Sequence, residues 1–294
     1  MFVQAIETAT QFTRPIHSIR RYYGSTEVHP GASTLFFVNA DGWALTCRHV
    51  AESFIVADQL YERYQAFKAE RDSLSVGSNR RQLERVLESK HGFEKGKIVE
   101  LKNRVVGCVQ GALTISFILH PVLDVALVKF SDYTALGPKA FPTFGAADDD
   151  LKQGLSLCRL GFPFPEFTNF GYDPASDTID WTEQGRDNTP SFPLDGMVTR
   201  HLASGGNEIV GFELSTPGLR GQSGGPAFDA TGRVWGMQFA THHLDLDFDV
   251  DMEVYRDGVM RHVKDSAVLH VGHCFHVSVL KQFMREHDVA FAEG

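Results

Sequence analysis

The chain is predicted to be an all-β protein, and three observations carry that reading. Short runs of β-branched and aromatic residues bounded by turn residues recur along it, among them Ser33-Thr34-Leu35-Phe36-Phe37-Val38, Trp43-Ala44-Leu45-Thr46 and Leu123 to Phe130. A glycine-rich stretch, Gly221-Gln222-Ser223-Gly224-Gly225-Pro226, leads through Ala227-Phe228 and a turn at 229–233 into Val234 to Phe239, which reads as a β-hairpin. The third observation is size: 294 residues are about two domains' worth and ample for a sizeable core.

Composition narrows the function. A hydrophobic content of 43% with 22% charged residues is that of an ordinary soluble globular protein. The net charge of −9, with no long basic run, argues against nucleic acid as a partner. Cys47, Cys108, Cys158 and Cys274 lie far apart without the spacing of a zinc site, and are expected to be reduced and buried. The opening stretch MFVQAIETATQFTRPIHSIRRYYG has no uninterrupted apolar core of signal-peptide length. No segment could span a membrane, so a cytoplasmic protein with no membrane partner is expected.

In chain order, Pro15 to Val50 read as strands and turns, with Asn39-Ala40-Asp41-Gly42 between two strands. Ala57, Leu60, Tyr61, Tyr64 and Phe67 then fall at helical spacing, as do Leu83, Val86 and Leu87, with Val76-Gly77-Ser78-Asn79 between them. This predicts a helical hairpin over about residues 53–91. Its apolar stripe would pack on the sheet as a surface decoration; the alternative is a docking element for a regulatory partner. Strand patterns return in Val99–Val109, Ala112–Leu119 and Leu123–Phe130. Tyr133 to Asp150 is turn-rich and reads as a linker, its Asp148-Asp149-Asp150 as a solvated face. Leu155–Leu160 resumes the sheet, 165–194 reads as a long loop, and Gly196–Ala203 and Glu208–Ser215 lead to the serine. Beyond Phe239, Asp245, Asp247, Asp249 and Asp251 alternate with apolar residues, which places four acids on one face of an extended segment. His270, His273 and His276 suggest metal ligands, but on a strand His273 points opposite to the other two. No metal site and no cofactor are expected.

The serine stands in a setting suited to a nucleophile. Gly221 and Gly224 permit a tight or left-handed backbone and leave room for substrate, and the same turn can aim the N–H groups of Gly221 and Ser223 at an oxyanion. Gly221 to Gly225 also satisfies G-x-S-x-G, the strand-to-helix elbow of α/β hydrolases. Gly224-Gly225-Pro226 cannot start a helix interior, so that reading fails.

Three motifs in this order, LTCRHV, LDVALVKF and GQSGGP, resemble those of the trypsin-like (chymotrypsin-fold) serine proteases. The resemblance implies two six-stranded antiparallel β-barrels. The N-terminal barrel, residues 1–140, would carry His49, Asp124 and the helical insertion. The C-terminal barrel, 141–294, would carry Ser223 and, from GHCFHVSVLKQFM, a C-terminal helix. It also implies a triad of His49, Asp124 and Ser223, and an oxyanion hole from Gly221 and Ser223. Two departures bear on the branch. Gln222 stands where zymogen-activated animal proteases have the aspartate that pairs with a new N-terminus, and no disulfide cysteine follows His49. Pro217 stands where trypsin has its pocket aspartate. The chain therefore looks nearer to the bacterial glutamyl-endopeptidase and Deg-type branches.

By the same resemblance, Pro217, Gly218 and Leu219 form one wall of the substrate pocket, Gln238, Phe239, Ala240 and Thr241 the other, and Gly272, His273 and Cys274 the back. None is an acid, which implies a protein or peptide substrate cut after small, apolar or uncharged polar residues. The expected activity is serine endopeptidase. Other readings are a catalytically silent binding module on this fold, or an esterase of small substrates.

Overall fold

A computed structural model describes residues 2–75, 77, 79–206 and 208–294. The chain opens with a helix, α1 (Val3–Phe12), which the sequence reading did not anticipate, and its Ala5, Ala9 and Phe12 are buried. The first sheet follows from β1 (Thr13–Tyr22), β2 (Val28–Phe37) and β3 (Trp43–Thr46). Two helices, α2 (Arg48–Asp72) and α3 (Arg80–His91), interrupt it. It resumes with β4 (Ile98–Val105), β5 (Val109–Gln110), β6 (Thr114–Leu119), β7 (Ala126–Ser131) and β8 (Ala135–Leu136). Six of these strands form one antiparallel sheet in the order β4-β1-β2-β3-β7-β6, and β5 pairs with β8 at its side.

The second half contains β9 (Thr143–Phe144), β10 (Ser156–Gly161), β11 (Phe170–Asp173), β12 (Thr178–Trp181), β13 (Phe192–Ala203) and β14 (Ile209–Leu214). After them come β15 (Pro226–Phe228), β16 (Val234–Arg256), β17 (Val259–His276), α4 (Val277–Glu286) and β18 (Ala292–Glu293). The order β15-β10-β13-β14-β17-β16 closes on itself because β16 returns to pair with β15. A closed antiparallel barrel leaves no unpaired edge. The fold is thus all-β with two six-stranded antiparallel units, as the motifs implied. Their apolar interiors meet in one cluster, in which Phe36 and Phe130 of the first half join Phe144, Phe212 and Phe228 of the second.

Four local readings change. Helix α2 begins at Arg48, directly after β3, so His49 sits in its first turn. Ala57, Leu60, Tyr64 and Phe67 face inward as their spacing implied, and Phe67 and Tyr64 pack with Phe93 and Val99. Tyr61, Leu83 and Val86 are exposed instead, because α3 lies on α2 at the surface and only Leu87 reaches the cluster. Val76 and Ser78 of the expected turn lie outside the described residues. The segment read as a long loop holds the β11–β12 hairpin. Its Phe167 and Ile179 bury against Ile19, and Asp177 accepts hydrogen bonds from Tyr64, Tyr172 and Arg71. Ile19, Tyr64 and Arg71 are distant in sequence, which is why the Asp- and Gly-rich composition concealed the hairpin. Finally, the alternating acids do not all share one face. The β16–β17 register shifts between Asp245 and Asp249, and Asp247 sits in that bulge with φ 56°.

Candidate active site

His49 and Asp124 meet where the end of β3 faces the start of β7. Thr46 pairs with Ala126, and α2 turns His49 back over the segment that precedes β7. Asp124 accepts two hydrogen bonds from the one histidine, at 2.8 Å from its backbone N–H and at 2.7 Å from Nδ1. The carboxylate therefore fixes both the position and the tautomer of the ring, leaving Nε2 to accept a proton. The side chains of His49 and Asp124 are 52% and 31% exposed, so the pair opens to solvent and substrate.

The loop that carries Ser223 comes from the other half and packs against the strand ends that precede His49. Gly224 lies against Thr46: a Cβ placed there would come within 2.5 Å of Thr46 Oγ1 and 2.2 Å of the Thr34 carbonyl. Only glycine allows that approach, and its φ of 86° suits it. The Gln238 carbonyl accepts from both Gly224 N–H at 2.9 Å and the Cys47 thiol at 3.4 Å, tying the serine loop to the residue two before His49. Thr34 adds a second tie, its N–H donating to the Ser223 carbonyl and its hydroxyl to that of Gly221. Among the described residues Ser223 Oγ makes no hydrogen bond to His49; such catalytic contacts are often long until substrate is bound.

The loop expected to bind an oxyanion is a tight turn. Gln222 N–H donates to Leu219 O at 3.0 Å, with Gly221 at the third position at φ 98°. A positive φ there is the requirement of a type II turn, and a side chain at 221 would strike the Phe162 carbonyl. The N–H groups of Gly221 and Ser223 donate to no protein acceptor among the described residues. The buried Gln222 braces the turn, accepting from Leu219 N–H and donating to Phe192 O. That brace stands where an ion pair would serve in the zymogen-activated relatives.

The predicted pocket walls touch. Thr241 Oγ1 donates to Gly218 O at 2.6 Å, and the Gln238 amide lies so close to Gly218 that a Cβ would sit 2.2 Å from its Nε2. Gly272 and Cys274 line the same space. Phe239 and His273 do not, since alternation along β16 and β17 turns them to the opposite face. There Phe239 stacks on Phe275 and His273 lies by Glu213. Burial holds the His273 imidazole below its ordinary range. Sequence reasoning missed Arg159, which is fully buried behind this space. Its Nη1 donates to Gln238 Oε1 at 2.7 Å and its Nη2 to the oxygens of Thr216 and Pro217. No carboxylate bonds it among the described residues, and burial lowers the guanidinium from its ordinary value. A lone cation in an apolar strand carries no local signal of this role.

Cys47, His49 and Asp124 each bring a potential ligand atom within 4.8 Å of the others. They do not suit a metal. The Cys47 thiol is fully buried, pushed well up by burial and by Asp124, and donates to a carbonyl, so it is held neutral. His270 contacts His243, His273 contacts Glu213, and His276 caps α4, so these three histidines serve separate sites. All four cysteines are free and buried. No described helix is long and apolar enough to cross a membrane.

No curated protein sequence matches the chain. Solved structures with a similar course include the HtrA-type protease AlgW with a decapeptide, at 11% identity and a TM-score of 0.49, covering 97% of this chain and 67% of that one. AlgW with a tripeptide gives 13% and 0.47, over 99% of this chain and 65% of that one. The S227A form of AlgW with a tripeptide gives 12% and 0.48, over 97% and 63%. The chain thus spans about two thirds of the length of these proteins, and at such scores they add nothing to the assignment. The family model of the trypsin-like peptidase domain, by contrast, matches residues 33–237, a stretch running from within β2 to within β16 that includes His49, Asp124 and Ser223. On that match the chain belongs to the trypsin-like serine peptidases.

Proposed function

We propose that the chain is a serine endopeptidase working through an acyl-enzyme on Ser223. The observation that carries this reading is the double grip of Asp124 on His49, at 2.8 Å and 2.7 Å. A serine hydroxyl is a weak nucleophile at neutral pH, so it needs a base that takes its proton as it attacks. With Nδ1–H committed to Asp124, His49 Nε2 takes that proton, and Asp124 steadies the imidazolium that results. The carbonyl oxygen of the scissile bond becomes an oxyanion and accepts from Gly221 and Ser223 N–H. His49 then gives its proton to the leaving amine. Water, deprotonated by the same nitrogen, releases the acyl group and restores the hydroxyl.

The contact of Thr241 with Gly218 leaves little depth in the pocket, and Arg159 places a positive charge behind it. The first feature favours cleavage after small residues, and the second opposes Lys and Arg. The test combines a fluorophosphonate probe with a positional peptide library read by mass spectrometry, on the wild type and on Ser223→Ala. Labelling and cleavage after small residues, both absent in Ser223→Ala, are expected. Full activity of a clean Ser223→Ala preparation would overturn the reading. Labelling with hydrolysis of esters but of no peptide would convert it to an esterase, and neither labelling nor hydrolysis would leave a binding module.

A further inference from the structure

Strands β16 and β17 run far past the barrel. Pairing continues from Gly236 opposite His276 at the base to Arg256 opposite Val259 at the tip, and from His242 outward neither strand pairs with any other among the described residues. A free two-stranded ribbon is marginally stable in water unless one face is covered.

The register sorts its side chains. On one face Asp249 pairs with Lys264 at 3.1 Å and Asp251 with His262 at 3.0 Å, a charged surface suited to solvent. The other face carries Leu244 opposite Leu269, Val250 opposite Asp265, Met252 opposite Val263, Val254 opposite Arg261 and Arg256 opposite Val259. It is an apolar stripe with a few charges at its margins, and Met252, Val263 and Val259 are 49%, 39% and 55% exposed. The charged face has its own apolar pair at the tip, Tyr255 opposite Met260, but the run of Val250, Met252 and Val254 beside Val263 marks a half-buried sheet face whose covering layer is absent from the single chain.

We propose that the covering layer is the same ribbon of a second copy, packed face to face about a two-fold axis at Met252 and Val263. The charges select this occupant. In a two-fold contact, residues equidistant from the axis on opposite sides meet. Arg261 and Asp265 each lie two residues from Val263 on β17, so Arg261 of one copy meets Asp265 of the second, and the pair occurs twice. On β16, Val254 meets Val250, and Arg256 falls over the bulge that holds Asp247. At the centre of the contact apolar groups therefore meet apolar groups, and Arg261 meets Asp265.

The ribbon face is ~40 Å long and ~10 Å wide from strand rise and spacing. Two such faces cover roughly 800 Å², the low end for specific contacts, so the dimer is reversible and concentration-dependent.

Sedimentation velocity of the full chain over a concentration series tests this, with circular dichroism confirming that each variant is folded. A monomer–dimer equilibrium is expected for the wild type. Met252→Lys with Val263→Lys, both at exposed positions, should leave only monomer. Arg261→Asp and Asp265→Arg should each weaken association by at least about tenfold, and the double swap should restore it. A wild type that stays monomeric at every concentration overturns the proposal, as does a double swap no stronger than its parents. Flotation of a monomeric wild type with zwitterionic vesicles would also overturn it, assigning the face to lipid instead.

Discussion

Asp124 accepts from a backbone N–H and from a ring N–H of the same histidine, and its two oxygens cannot both be replaced by an amide without consequence. In Asp124→Asn the amide oxygen can keep one bond, but the NH₂ facing Nδ1 forces the ring proton onto Nε2, the tautomer that cannot take a proton from Ser223. Turnover should fall by about 10⁴ with little change in KM or thermal stability, as steady-state kinetics and melting curves would read. Arg159 permits a second residue-level expectation. A cation ~8 Å from a substrate ammonium at an effective dielectric of ~20 costs about 2 kcal/mol, roughly thirtyfold in kcat/KM. Arg159→Met should therefore raise cleavage after Lys, relative to Ala, by that order. An unchanged ratio in the peptide library would show that Arg159 does not face the pocket. Legibility at this scale followed chemistry. The proposed triad of His49, Asp124 and Ser223 stands in three short motifs whose order and residue types could be read from the sequence. Arg159, Gln222 and Thr34 act through partners between 3 and 189 (223 − 34) residues away, and their neighbours in sequence say nothing of it.

Among the elements, β1 and the segment beneath β11 hold a titrating group at their contact. His17 on β1 is fully buried, stacks on Phe167 with ring centres 4.0 Å apart, and shares a hydrogen bond of 2.9 Å with Thr189. Burial, aided by Arg104, lowers its pKa to about 4 from the ordinary 6.5. The unfolded chain therefore takes up a proton that the folded one refuses. The stabilisation is full above pH ~6.5 and is lost as the pH falls toward ~4, about 3 kcal/mol in all. Urea midpoints at about pH 7 and about pH 4.5 should diverge in the wild type and converge in His17→Gln, which has nothing to protonate. The same segment shows why some elements escaped the sequence. The end of β2, residues 35–37, with β3 and most of β7, are apolar runs buried on both sides, and their composition alone announces them. The β11–β12 hairpin is held by Ile19, Tyr64 and Arg71 of the first half, and the β16–β17 ribbon by a register that a bulge disrupts. Helix α1 escaped for a related reason: two threonines and a short span make it a weak helix alone, and tertiary packing decides it.

At the scale of the molecule, that helix is a clasp between the two halves. Phe12, at its end, packs on Phe36 of the first sheet with centroids 6.4 Å apart, while Phe2, just before it, meets Phe228 of the second barrel edge to face at 6.5 Å. Thr13 continues it into β1, which pairs with both β2 and β4 and so occupies the middle of its sheet. The site needs both halves, because His49 and Asp124 come from one and Ser223 from the other. Proteases activated by cutting near the N-terminus form an ion pair with the new amine, but here Gln222 already braces the oxyanion loop through Leu219 and Phe192. Cutting should therefore harm rather than activate. Removal of residues up to Arg14 uncovers Phe36 and Phe228 and deletes Phe12, whose loss alone is worth about 3–5 kcal/mol. The melting temperature should drop and activity should fall with it. Removal up to Arg20 takes most of β1 as well and leaves β2 and β4 without their shared neighbour, so the first sheet should not form. The comparison is of melting curves and fluorophosphonate labelling rates for the uncut chain and the two trimmed forms. Labelling that appears only after trimming, at undiminished stability, would mean that Gln222 does not hold the loop ready and that α1 restrains the site rather than joining it.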